Sequence, residues 1–236
     1  MEDLIVIKDL SYTYHSYRKE NYVFDEFNIS FTKGKVVGLL GPNGSGKSTL
    51  IKLMNGLLSP TKGEILIHGH KPGVETKAVV SYLPERTYLQ AGKTVKQMLD
   101  YFEDFYQDFD KGRARQMLQN LGIDEKAPLK TLSKGTREKV QLILVMSRRA
   151  LVYILDEPIA GVDPAARDYI IRTIIQNYNE EAVVLLATHL ITDVESILDE
   201  VVFIKNGKVI LQSSVDEVRE THHKSIDAYF REVFAC

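Results

Sequence analysis

With 236 residues, 44% hydrophobic and 26% charged, the chain suits one packed domain, or one domain with a small second lobe, and not a disordered segment. A net charge of −2 gives no basic footprint for nucleic acid. The single cysteine, Cys236, excludes an internal disulfide and any multi-cysteine metal site, and points to a reducing compartment.

The opening MEDLIVIKDL begins acidic and alternates, so it does not read as a signal peptide. LIVIK (4–8) and FNISF (27–31) read as strands separated by a tyrosine-rich turn region. VVGLLG (36–41) is apolar throughout, as a strand buried on both faces would be. A glycine-rich turn follows, then a helix in the stretch 48–58 that ends near Asn55-Gly56, then short strands at 64–69 and 79–84.

The pattern then becomes helical. Residues 94–109 place apolar side chains at 3- and 4-residue spacing behind Thr94 as cap, 114–122 form a second helix stopped by Gly122, and a third runs from near 131 to about 149. Apolar strands return at 151–158 and 182–189 with a helix at 164–178 between them. Residues 201–211 read as a hairpin turning at Asn206-Gly207. The longest apolar runs, 142–146 and 182–187, fall far short of the ~18 residues that span a bilayer.

Strands alternating with helices predict an α/β fold: a mostly parallel core sheet, an antiparallel β part and a helical insertion lobe. The expected division is one domain over 1–236, with a core from 1–89 and 151–212, a helical subdomain at 90–150 and a tail at 213–236. The tail is left open between packing on the core, self-association and docking elsewhere.

GPNGSGKST (41–49) matches the P-loop pattern G-x-x-x-x-G-K-[ST] between an apolar strand and a helix. Glycines let the backbone curl so that N–H groups over Asn43, Gly44, Ser45 and Gly46 converge on phosphate, backed by the positive end of the helix. Lys47 supplies a cation for the β- and γ-phosphates, Ser48 a hydroxyl for Mg²⁺ and Thr49 a hydrogen bond to an α-phosphate. LVYILDEP (151–158) ends a strand in Asp156, placed to reach the metal shell, and Glu157, placed to take a proton from an attacking water.

Three further motifs narrow the reading: LSKGT (132–136) before the Asp156 strand, AGVD (160–163) directly after it, and ATH (187–189) at the end of the next strand. In order and spacing the chain resembles the nucleotide-binding subunit of ATP-binding cassette (ABC) transporters over nearly its whole length. The resemblance implies ATP and Mg²⁺ as ligands, Tyr14 as the ring stacked on adenine (with Tyr12 and Tyr17 competing), and His189 as a γ-phosphate contact that orients water. It gives Asp163 a contact with an opposing subunit. It makes Glu85, where most of the family has glutamine and many exporter-type members have a similar Leu-Pro-Glu, the residue that couples the metal site to a membrane partner. A carboxylate there accepts metal or water but cannot donate an amide hydrogen bond. The usual Leu-Ser-Gly-Gly-Gln signature reads Leu132-Ser133-Lys134-Gly135-Thr136 here, and the resemblance makes Ser133 and Gly135 an edge facing ATP held by a second subunit. Thr136 is too short to complete a capping box, so a weak helix cap is expected.

The implied protein is a peripheral ATPase on the cytoplasmic face of the membrane, pairing head-to-tail with a like or unlike subunit. It powers a separate permease, in the manner of exporters of drugs, peptides or lantibiotics. The alternatives are a soluble ABC ATPase serving another machine, and a P-loop kinase, which would leave Ser133, Asp163 and His189 unexplained together.

Overall fold

The computed structural model describes residues 3–14, 22–160, 162 and 164–235. The chain runs β1 (Asp3–Tyr12), β2 (Phe24–Thr32), β3 (Lys35–Leu40), α1 (Lys47–Met54), β4 (Lys62–Ile67), α2 (Val74–Val79) and β5 (Val80–Leu83). It continues with α3 (Val95–Phe105), α4 (Lys111–Asn120), α5 (Lys134–Met146), β6 (Val152–Asp156), α6 (Pro164–Asn177) and β7 (Val183–Ala187). Last come α7 (Ile191–Val194), β8 (Glu200–Lys205), β9 (Lys208–Ser214), α8 (Val215–His222) and α9 (Ile226–Val233).

Two sheets form the β framework. A six-stranded sheet has the order β5-β6-β7-β3-β8-β9, parallel except for the β8–β9 hairpin at its edge. A three-stranded antiparallel sheet has the order β2-β1-β4. The two antiparallel parts are therefore separate: the late hairpin joins the parallel sheet, not the early strands.

The apolar strands are buried on both faces, and alternation sorts their side chains into two cores. Val36, Leu40, Tyr153, Leu155, Val184 and Leu186 face a core shared with the α3–α5 lobe, α6 and α9. Val37, Leu39, Ile154, Leu185 and Val202 face the other, shared with α1 and the antiparallel sheet.

The α3 helix is capped at Thr94, whose side chain accepts from the Gln97 N–H while Gln97 reaches back to the Thr94 N–H. It ends at Phe105, short of the expected 109, because polar groups beyond it are used elsewhere. Asp108 pairs with Arg148, and Asp110 caps α4 by accepting from the Arg113 N–H. That cap also starts α4 three residues before the expected 114. The short α2 was not expected from the sequence. The tail forms α8 and α9, and Tyr229, Phe230 and Phe234 of its last turns pack around Phe203 at centroid distances of 5.9, 5.4 and 5.8 Å. The tail therefore packs on the core, the first of the three alternatives, within this chain. Among the described residues, no helix is long and apolar enough to cross a membrane.

One buried cation joins the lobe to the sheet. Arg148, 2% exposed, donates to both Asp108 oxygens at 2.9 and 3.1 Å, to the Val80 carbonyl at 2.5 Å and to the Ala78 carbonyl at 2.6 Å. Its guanidinium lies 3.9 Å from the Tyr106 ring centroid. Removing it leaves a carboxylate and two carbonyls without their donor. Arg148→Met should cost roughly 3–5 kcal/mol of unfolding free energy in urea titration. A loss under 1 kcal/mol would show that the junction does not depend on it.

Candidate active site

Parallel pairing brings the sequence motifs to one edge. Asp156 at the end of β6 pairs with Ala187 at the end of β7, which pairs with Leu39 near the end of β3. The chain leaves these three strand ends as the P-loop, the Asp156-Glu157 pair and the Thr188-His189 pair. The result is one cleft of about 540 Å³ gathering Tyr14, the loop and helix start from Asn43 to Thr49, Glu85, Asp156, Glu157 and His189.

The P-loop is held from behind. Gly46 sits at φ +113°, in the region glycine favours, and a Cβ there would come 2.8 Å from the Phe24 ring. At the hairpin tip, the Gly207 N–H donates to the Ser45 carbonyl at 3.0 Å. The α1 helix begins at Lys47 with no side chain capping it, so its first N–H groups stay available for an anion. Lys47 Nζ donates to the Gly41 and Pro42 carbonyls at 2.6 and 3.2 Å. Burial lowers the Lys47 pKa, and Glu157 and Asp156 pull it back. Ser48 is exposed on the cleft side, while Thr49 is buried with its hydroxyl 3.1 Å from the Tyr14 hydroxyl. Tyr14 is 53% exposed and stands edge-on to Tyr12, so Tyr14 offers the freer ring face.

Glu157 is held through both its backbone and its carboxylate. Its backbone has φ +51°, unusual for a residue with a side chain, and its N–H donates to the Ala187 carbonyl at 2.8 Å. Its carboxylate accepts from the Thr188 hydroxyl at 3.1 Å and lies 2.9 Å from His189 Nδ1. Thr188 had no assigned role in the sequence reading. Its place one residue past the strand position that faces Asp156 was the available signal. The Asp156 pKa is raised to about 6, first by burial, then by the nearby Glu85 and Glu157 carboxylates, against Lys47 and Lys52.

Ser133 and Gly135 lie outside this cleft. Ser133 is the exposed N-cap of α5, accepting from the Thr136 N–H at 3.1 Å. The Thr136 hydroxyl meets the Ser133 hydroxyl at 2.8 Å, so the cap is made from one side only. Lys134 turns along the helix to Glu138 at 3.8 Å. Nothing lies within 4 Å of where a Gly135 Cβ would be. Asp163 lies outside the described residues, as does Tyr17.

A sequence model of the family described as "ABC transporter" matches residues 24–160. The chain belongs to the ABC transporter family. Among curated relatives of this ABC protein, the ABC transporter ATP-binding protein YtrB of Bacillus subtilis is 27% identical, over 86% of this chain and 71% of its own. The SkfA peptide export ATP-binding protein SkfE of the same species is 30% identical over 83% and 84%. The ABC-type organic anion transporter ABCA8A of Mus musculus is 33% identical over 84% of this chain, which spans only 13% of that protein. A solved ATP binding subunit of an ABC transporter superposes with a TM-score of 0.86 at 28% identity, covering 98% of this chain and 99% of that one. A nucleotide-free ATP-binding cassette with a TM-score of 0.75 and 20% identity shares the fold. The expected family and fold class hold, and this ABC subunit binds and hydrolyses ATP.

The raised Asp156 pKa sets a stability test. Between the ordinary 3.8 and about 6 the folded chain holds a proton that the unfolded chain has lost, so this group stabilises the fold below that window and the benefit is lost as pH rises through it. Without nucleotide or divalent cation, Asp156→Asn should therefore raise unfolding free energy at pH 7.5 by about 1–2 kcal/mol and change it little at pH 4. Equal shifts at both pH values, or none at 7.5, would show that the cleft does not strain this carboxylate.

Proposed function

We propose that the chain is the ATP-hydrolysing subunit of an exporter, paired head-to-tail with a second cassette and seated on a separate membrane permease at the cytoplasmic face. One observation carries this reading. The P-loop, Asp156, Glu157 and His189 converge in one cleft, while Ser133 and Gly135 stand at an exposed helix start outside it. The open space at Gly135 leaves room for a phosphate presented by another chain.

Mg²⁺ fits the donors that are present. Among the described residues there is no group of three or more His, Cys, Asp or Glu arranged to hold a metal ion. The chain offers Ser48, Asp156 and Glu85, two carboxylates and a hydroxyl, as suits an ion that arrives with phosphate oxygens and water filling its other positions. Crowding of Asp156 by Glu85 and Glu157 is the kind of charge a cation relieves. When bound, Mg²⁺ supplies charge neutralisation for the β- and γ-phosphates.

The protein groups do the rest. The P-loop amides and the α1 start hold the phosphates, and Lys47 swings from the Gly41 and Pro42 carbonyls to the same oxygens. Tyr14 stacks on adenine. Glu157 takes a proton from the attacking water, held in place by Thr188 and His189. With His189 Nδ1 turned to Glu157, Nε2 is left for the γ-phosphate. Ser133 and the amides near Gly135 close the site from the second subunit, whose Asp163 adds a contact across the junction.

An apolar groove of about 330 Å³ beside the Glu85 loop supports the permease contact. Leu57, Tyr82, Tyr88, Tyr101, Phe102 and Tyr106 line it, and Leu57 and Tyr101 are 62% and 47% exposed. The peptide-export name of SkfE and the linearmycin-resistance name of LnrL, another protein this chain is similar to, favour export.

Glu157→Gln should keep ATP binding, lower kcat about 10²–10⁴-fold and accumulate an ATP-bound dimer in size-exclusion chromatography. Hydrolysis at the normal rate would end the assignment of Glu157 as base. Ser133→Ala and Gly135→Asp should each lower turnover roughly tenfold while the monomer's ATP affinity stays unchanged. Unchanged turnover in both would return residues 131–139 to an ordinary helix start.

A further inference from the structure

The first turns of α5 bury polar atoms that the fold does not use. Gln141, on α5, is only 2% exposed. Its Nε2 donates to the Pro84 carbonyl at 3.4 Å, and its Oε1 is buried with no partner among the described residues. Glu138 Oε2, one turn earlier on α5, is in the same condition. Both side chains line a small cavity of about 30 Å³ whose other wall is Pro84, Glu85, Asp156 and Glu157. The amide orientation follows from chemistry, since turning Oε1 toward the Pro84 carbonyl would set two acceptors against each other.

Stability does not account for Gln141. A long hydrogen bond on one end and an unpaired buried oxygen on the other make a poor exchange for two contacts with water. Leucine would fill nearly the same volume without that cost. The other tie between α5 and the sheet, Ser81 Oγ donating to the Val145 carbonyl at 2.8 Å, anchors β5 and does not reach the loop beyond it. Gln141 is an α5 side chain that does donate to that loop, at the residue before Glu85.

We propose that Gln141 is a positioning residue for hydrolysis: its amide ties α5 to the Pro84–Glu85 loop and thereby sets Glu85 against Asp156 and Glu157. The inference rests on the reading of Glu157 as base. Ser133 at the α5 start lies eight residues before Gln141, about 12 Å along the helix. A shift of that start on engaging a second subunit therefore reaches the Pro84 carbonyl through one rigid element.

The test uses the full chain carrying Gln141→Leu or Gln141→Glu, with Glu157→Gln in parallel. Neither replacement of Gln141 donates to the Pro84 carbonyl at neutral pH. Both should lower kcat at least tenfold, with KM and equilibrium binding of ATP within twofold of the parent. The melting temperature of Gln141→Leu should be equal to the parent's or higher. Normal kcat in Gln141→Leu beside an inactive Glu157→Gln overturns this proposal alone. A loss of kcat matched by a lower melting temperature, or by an equal weakening of ATP binding, overturns it in favour of a packing role. Normal hydrolysis by Glu157→Gln overturns the base assignment and this proposal with it.

Discussion

Side-by-side pairing of β6, β7 and β3 is the constraint from which the site follows. Parallel strands end at the same edge, so three segments distant in sequence leave the sheet together. One becomes the phosphate loop, one carries Asp156 and Glu157, and one carries Thr188 and His189. Slipping β7 by one residue would turn its apolar set to the opposite core and move Thr188 away from Glu157. The two cores, sorted by alternation along the same strands, resist that slip.

Charge imposes a second constraint. Asp156, Glu157 and Glu85 share a cleft that Lys47 also lines, and Lys47 itself loses proton affinity through burial. Burial and the neighbouring Glu85 and Glu157 carboxylates work against the charged form of Asp156. Preorganised charge of this kind favours a transition state because the protein does not reorganise during reaction. The left-handed backbone at Glu157 is a local strain of the same sort, maintained by the bonds to Ala187, Thr188 and His189.

Much of this was legible in the sequence. The glycines of 41–46 and the apolar run ending in Asp156 define strand, turn and helix by local chemistry alone, and their joint presence gives the fold class. Boundaries were less legible where side chains act at a distance. The end of α3 depends on Asp108 finding Arg148, 40 residues away, and no periodicity reports that. The contacts of Thr188 and Gln141 depend on strand register and on which face of α5 meets the Pro84 loop. Tail packing depends on Phe203, a residue of β8 with no local relation to α9. The separation of Ser133 from the cleft was implied by resemblance, and the exposed position of the cap gives it a physical basis.

The bond from the Gly207 N–H to the Ser45 carbonyl makes the phosphate loop depend on a residue made much later during synthesis. A nascent chain that has emerged only as far as α6 carries every P-loop residue but lacks the hairpin tip that braces the loop. The phosphate cradle therefore matures late, after β8 and β9 have closed the sheet edge. Nucleotide capture on the ribosome would report completion of the sheet rather than emergence of the motif.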